Sequence, residues 1–309
     1  MAAAEVGDEQ YLEDPTTNEL QRRMAELLGH EAALFLPTAT MANQIALRAQ
    51  TEPGSMLLAQ EHTHVLVWEW GGPAVHSGLT MKGVASDDGR VTPQHIAEQE
   101  EHLLGPRGIV VVENTHRGSG ARIWPVDELR ATVDAAHDRG LAVHLDGARL
   151  FNAAVGAGLP PSAWAQLADS VTICFSKGLG CPLGAILAGS AELIERAWRG
   201  KYLLGGALRQ SGVVAAAALY ALDHNVERLA ADHERARRLA EGLGVEPPET
   251  NFVAIPDPAG TGLARAREHG VLLDDLRPGW LRAVTHLDVS DDELEQAIEV
   301  LPEALGVHA

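Results

Sequence analysis

Cysteine is nearly absent: Cys174 and Cys181 are the only two in 309 residues. That is too few for a disulfide framework, and a reducing cytoplasm is the expected compartment. Cys174 falls in an apolar run, where a free thiol behaves as a small hydrophobe. Basic residues are also scarce. The 24 Lys and Arg face 43 Asp and Glu, for a formal net charge of -19, which argues against nucleic acid or an anionic membrane as the main partner. No apolar run is long enough to span a bilayer, and the N-terminus carries no signal-peptide pattern. Internal repeats and low-complexity linkers are missing. So is a Gly-x-Gly-x-x-Gly behind the early strands, which disfavours a nicotinamide dehydrogenase.

What is present is apolar residue, 46% of the chain. That is enough for a large core, and one large plus one small domain is the expectation at this length. The division is expected near residue 212, with 1–212 as the large α/β domain and 213–309 as a smaller α+β domain. Helices are expected over 17–28, 41–49, 125–139 and 211–225, and strands over 31–36, 56–59, 108–112, 141–145, 171–175, 185–188, 252–255 and 281–284. This repeated strand, helix, strand order predicts a mostly parallel sheet with helices on both faces. Ligands in such sheets collect at the C-terminal ends of the strands.

The chemistry gathers at those ends. The apolar run at 171–175 ends in Ser176-Lys177, and Gly178 and Gly180 follow. A lysine there is either escaping to the surface or is a desolvated amine able to form a Schiff base. A second run, at 141–145, ends in Asp146-Gly-Ala-Arg149. Neighbouring strands that end in an acid and a lysine suit pyridoxal phosphate, whose aldehyde needs the amine and whose ring nitrogen needs the acid. The strand, turn, helix order around Pro37-Thr-Ala-Thr40 turns the amides of Ala39 and Thr40 toward one point, an anion site or an ordinary N-cap. In Glu61-His-Thr-His64 an extended chain would send His62 and His64 to opposite faces, so a zinc pair is set aside and no metal is expected.

Six segments then carry a resemblance: Pro37-Thr-Ala-Thr-Met-Ala-Asn43, Glu113-Asn-Thr-His116, Asp146-Gly-Ala-Arg149, Ser176-Lys-Gly-Leu-Gly180, Arg209-Gln-Ser-Gly212 and Val284-Thr-His-Leu-Asp-Val-Ser290. In this order they resemble the low-specificity L-threonine aldolases, fold-type I enzymes of the β-eliminating lyase superfamily that use pyridoxal 5'-phosphate. The resemblance implies a fold-type I architecture and a Schiff base on Lys177. It implies that Asp146 meets the ring nitrogen, His64 covers the ring, and Ala39, Thr40, Ser176 and Arg209 help to hold the cofactor. Arg209 would come from a partner subunit. Arg149, beside the cofactor, and Arg282 would clamp the substrate carboxylate, and His64 or His116 would take the β-hydroxyl proton.

The implied reaction cleaves L-threonine or L-allo-threonine to glycine and acetaldehyde, in a homodimer or homotetramer whose site lies at the subunit interface. Another lyase, a racemase or a non-catalytic cofactor-binding protein remain as alternatives. Two features depart from the pattern. Alanine stands at position 39 where the family has glycine, and would be strained if the turn needs a positive φ. The family also carries an N-terminal arm ahead of the position where this chain begins. Substrate affinity and subunit packing are expected to feel its absence more than cofactor binding does.

Overall fold

The computed structural model describes residues 1–306, side chains 102 and 103 excepted. Residues 307–309 of the expected smaller domain lie outside the described residues. Seven strands form the main sheet: β1 (Ala32–Leu36), β2 (Met56–Gln60), β3 (Thr80–Val84), β4 (Ile109–Glu113), β5 (Ala142–Asp146), β6 (Ser170–Cys174) and β7 (Ala185–Gly189). Their order is β1-β7-β6-β5-β4-β2-β3, and only β7 runs against its neighbours. β4 and β6 at the centre are buried along their whole length, and β5 is buried from Val143 on, as expected of a sheet covered on both faces. The expected α/β fold is therefore present.

The flanking helices follow from capping and apolar spacing. The helix Pro15–Leu28 starts two residues before the expected position, because Asp14 accepts from Thr17 N and Pro15 opens the first turn. It packs Leu20, Met24 and Leu28 on the same face of the sheet as Phe35, Val110, Val143 and Ile173. The opposite face takes the helices Ala39–Gln50 and Ala191–Leu203, through Ile45, Ala46, Leu193 and Ala197 against Leu34, Leu36 and Leu187. Ala39 lies within its helix from the first residue, so its backbone is unstrained and the glycine of the family pattern is not needed there.

A second, antiparallel sheet contains β8 (Phe252–Pro256), β9 (Asp274–Arg277) and β10 (Trp280–Val284) in the order β8-β10-β9. It has its own core, in which Ala236, Leu239, Val253, Ile255, Leu281, Leu294 and Leu301 meet. The division expected at residue 212 comes one helix too early. The helix Gly212–His224 packs Ala215, Ala218 and Ala221 into the main core, against the helix Pro15–Leu28. The helix Leu229–Gly242 instead spans both cores, with Leu229 in the first and Ala236 in the second. No described helix is long and apolar enough to cross a membrane.

Candidate active site

The parallel register of β4 and β5 sets Glu113 directly beside Asp146 at the strand ends. Lys177 follows β6 in a tight turn. The turn needs Gly180, which has φ +74 and whose added Cβ would lie 2.3 Å from a Leu287 methyl. Asp146 is 2% exposed. Its Oδ1 accepts from Ala148 N at 3.0 Å, which closes the turn that presents Arg149 at the start of the helix Leu150–Ala157. Its Oδ2 accepts from Asn43 Nδ2 at 2.8 Å. Burial opposes its ionisation, but Lys177, His64 and the Asn43 amide outweigh it and hold the carboxyl below its ordinary range.

His64 starts a one-turn helix, His64–Val67, where an extended chain was expected. The cause is Glu113: its Oε2 accepts from His64 N at 2.8 Å, and its Oε1 accepts from Arg117 N at 2.7 Å. One buried carboxylate thus fixes two turns at the site. The His64 ring meets Glu69 through Nδ1 at 3.0 Å. Burial lowers the affinity of this ring for a proton. The Glu69 hydrogen bond and the charges of Asp146, Glu69 and Glu113 more than offset that and hold it above the ordinary histidine range. His62 is displaced from this arrangement and sits half-exposed beside Glu61.

Lys177, Asp146, His64, Arg149 and Arg282 line one cavity of about 410 Å³, together with Trp68, Glu113, Thr115, Arg117, Ala148 and Asp274. Burial and the Arg149 guanidinium hold the Lys177 amine below the ordinary lysine range, against the pull of Cys174, Asp146 and Glu113. Arg149 and Arg282 place their guanidinium carbons 5.6 and 5.5 Å from the centroid of the same Phe252 ring. Burial and Arg282 bring Arg149 down to about 10. Arg282 is paired with Asp274. Ser176 and Lys177 also line an adjoining cavity of about 370 Å³ with Asn251, His286 and Asp288.

Four expected residues line neither cavity. His116 is buried, lines neither cavity, and accepts from Ser119 N through Nδ1 at 3.1 Å. Its Nε2 is buried without a partner, and burial lowers its affinity for a proton. Arg209 lies on the surface, where it pairs with Asp8 at 2.8 Å. Ala39 and Thr40 open the first turn of the helix Ala39–Gln50, outside both cavities.

Four residues that shape the site carried no role in the sequence reading. Glu69 has no local signature. Asn43 and Glu113 fall inside segments of the resemblance, yet only the folded chain brings them to Asp146, Glu69 and His64. Arg117 stacks over Trp68, 4.3 Å from the ring centroid, and lies one residue beyond a segment that was singled out.

The family model described as beta-eliminating lyase matches residues 1–254. The low specificity L-threonine aldolase of Escherichia coli (strain K12) is 39% identical over 96% of this chain and 91% of its own length. Low-specificity L-threonine aldolase 1 of Arabidopsis thaliana is 34% identical over 99% and 91%. Alanine racemase TOXG of Cochliobolus carbonum is 34% identical over 97% and 82%. Among solved structures, a threonine aldolase of Leishmania major superposes with a TM-score of 0.82 over 98% of this chain and 92% of that one, at 22% identity. That last likeness bears on the fold alone. Family match, full-length identity and the clustering of Lys177 with Asp146 agree: the chain belongs to the beta-eliminating lyases, among the low-specificity L-threonine aldolases.

Proposed function

We propose that this chain cleaves β-hydroxy-α-amino acids, L-threonine and L-allo-threonine among them, to glycine and an aldehyde. The observation that carries the reading is one cavity holding a lysine with a lowered proton affinity, a buried carboxylate and a pair of arginines. Pyridoxal 5'-phosphate is the cofactor of this family, and the donor set fits it. Lys177 would hold its aldehyde carbon, Asp146 its ring nitrogen and His64 its ring face. The first-turn amides of Ala39 and Thr40 would hold the phosphate, with Ser176 beside it. When bound, the cofactor supplies an electron sink for the carbanion left at Cα.

The remaining work falls to the side chains. Arg149 and Arg282 hold the substrate carboxylate, a two-pronged task suited to guanidinium groups, and this fixes the direction of the Cα–Cβ bond. His64 takes the β-hydroxyl proton at Nε2 as that bond breaks. It suits the role better than His116, because it lines the cavity and His116 does not. Acetaldehyde leaves, and a proton returned to Cα gives glycine.

Arg209 lies away from the Lys177 cavity on a surface loop. That supports a homodimer or homotetramer in which Arg209 reaches the phosphate bound by a second copy. Two free cysteines and the absence of a membrane-crossing helix among the described residues support a cytoplasmic home. The relative named alanine racemase supports a second reading, in which the same residues only exchange the Cα proton.

Incubation with L-threonine, L-allo-threonine and L-alanine separates the two readings. Acetaldehyde and glycine from the first two substrates are expected, with loss of turnover by several orders of magnitude in Lys177→Ala. Inversion of alanine without aldehyde release from either threonine would favour the racemase.

A further inference from the structure

Behind the cavity runs a buried chain of hydrogen bonds that the cleavage reading does not use. Glu69 is 5% exposed. Its Oε1 accepts from His64 Nδ1 at 3.0 Å and from Asn43 Nδ2 at 2.8 Å, and its Oε2 accepts from Gln44 Nε2. The same Asn43 nitrogen donates to Asp146 Oδ2 at 2.8 Å. Asn43 cannot turn its amide over, because two carboxylate oxygens, which only accept, face its nitrogen; its Oδ1 therefore meets His144 Nε2 at 3.1 Å as the acceptor.

His144 is held in its turn. Its Nδ1 meets the Ser170 hydroxyl at 2.7 Å, and Ser170 Oγ accepts from Gln50 Nε2 at 2.8 Å. Burial brings His144 down to about 4, so the ring is neutral. Nε2 then carries the proton toward Asn43, and Nδ1 accepts from Ser170. Every donor points the same way, from Gln50 through Ser170, His144 and Asn43 to the carboxylates of Asp146 and Glu69. A carboxylate only accepts, so the proton of the neutral His64 ring sits on Nδ1, and Nε2 is left as an acceptor.

We propose that Glu69 and Asn43 are positioning residues for the cleavage: Glu69 fixes the His64 ring with Nε2 as its accepting nitrogen, and Asn43 ties that carboxylate to Asp146. The inference rests on the reading of His64 as the group that takes the β-hydroxyl proton. The charged groups facing His64 are Glu69, Asp146 and Glu113, all acidic. Of these, only Glu69 bonds to a nitrogen of the ring. Through Asn43 a shift of Asp146 moves the partner of His64, so the acid and the base of the site are held in one frame.

Holoenzyme carrying ¹⁵N-labelled histidine tests this, with the His64 signal identified by its loss in His64→Asn. In the unaltered protein Nδ1 is the protonated nitrogen, and the ring titrates above the ordinary value. Glu69→Gln keeps the size of the side chain and removes its charge. The His64 titration is expected to move down, and kcat to fall roughly ten- to a hundredfold with KM little changed. Gln44→Leu removes a different hydrogen bond from the same carboxylate, so it is expected to leave the proton of His64 on Nδ1. Thermal melting of both variants reports how much stability each loses.

A Glu69→Gln spectrum in which the tautomer and titration of His64 are unchanged overturns the proposal, whatever the activity. Should that variant fail to fold, Asn43→Ala keeps the Glu69–His64 bond and removes the tie. A severalfold fall in kcat is expected, and full kcat would overturn the coupling to Asp146. Full aldehyde release by His64→Asn would instead sink the reading of His64 as the base and leave the spectroscopic result standing.

Discussion

At the floor of the cavity each buried carboxylate meets more than one hydrogen-bond donor. At the rim, Arg117, Arg149 and Arg282 gather in one cavity, with Asp274 between Arg117 and Arg282. Asp146 takes Ala148 N and Asn43, Glu69 takes His64, Asn43 and Gln44, and Glu113 takes the amides of His64 and Arg117. These carboxylates are held in place before any ligand arrives. Burial, and after it the charge of Arg282, lowers both Arg149 and Arg117. Like charges crowded in a half-buried place are relieved by a bound anion. The floor is therefore fixed in shape, and the rim is a place whose electrostatics call for a carboxylate.

The largest effect that tests this contrast belongs to the rim. Arg149→Lys keeps the charge and loses the two-pronged geometry. It is expected to cost about 2 kcal/mol of substrate binding, roughly a thirtyfold rise in KM. The floor should be left alone, so the absorbance of the bound cofactor is expected to be unchanged. Steady-state kinetics with L-threonine checks this, and an unchanged KM would mean that the rim does not hold the carboxylate.

The next effect belongs to the floor and separates the two histidines. A base must be unprotonated to act. His64 is held above the ordinary range by Glu69 and its acidic neighbours, and His116 is held below it by burial. With His64 as the base, activity is lost as pH falls through a value above 6.5, and with His116 it would survive to below 6.5. The acid limb of kcat/KM is expected on the high side. Each unit by which it shifts is about tenfold in rate on the limb. A limb below 6.5 would return the role to His116 and leave His64 as a ring cover.

The same division explains what could be read from the chain. The central strands were legible because β4, β5 and β6 are runs of apolar residues between turn signals, and their C-terminal ends carry Glu113, Asp146 and Lys177 in order. Two strands escaped. β3 at the sheet edge exposes Thr80, Met81, Lys82 and Gly83, and β9 is Asp274-Asp-Leu-Arg277. Neither has the apolar alternation that marks a strand.

The turn at His64 escaped for another reason. Its cap is Glu113, 49 residues away in sequence, and no local pattern reports a partner so remote. Glu69 is hidden in the same way, an acid beside Trp68 and Trp70 whose three donors come from outside its own turn. Arg209 was placed with the cofactor by resemblance, and a single chain leaves it paired with Asp8 at the surface. Residues that act through neighbours in sequence were legible, and residues that act through distant partners were not.

The smallest effect concerns Asp274 and decides how ready the rim is. Both contacts from Arg282 go to Asp274 Oδ2, and Arg117 Nη2 lies 3.7 Å from the same oxygen. Asp274 thus occupies the arginine fork that the substrate carboxylate is to use. It is more than half exposed, so the pair is well screened and worth little, about 0.5–1 kcal/mol. A substrate has to displace it. Asp274→Asn removes the competitor and leaves the fork in place, so KM is expected to fall roughly two- to fivefold with kcat unchanged. The benefit should shrink at high salt, where the pair is already weakened. If KM rises instead, Asp274 is the prop that aims Arg282, and the rim is then as fixed in shape as the floor beneath it.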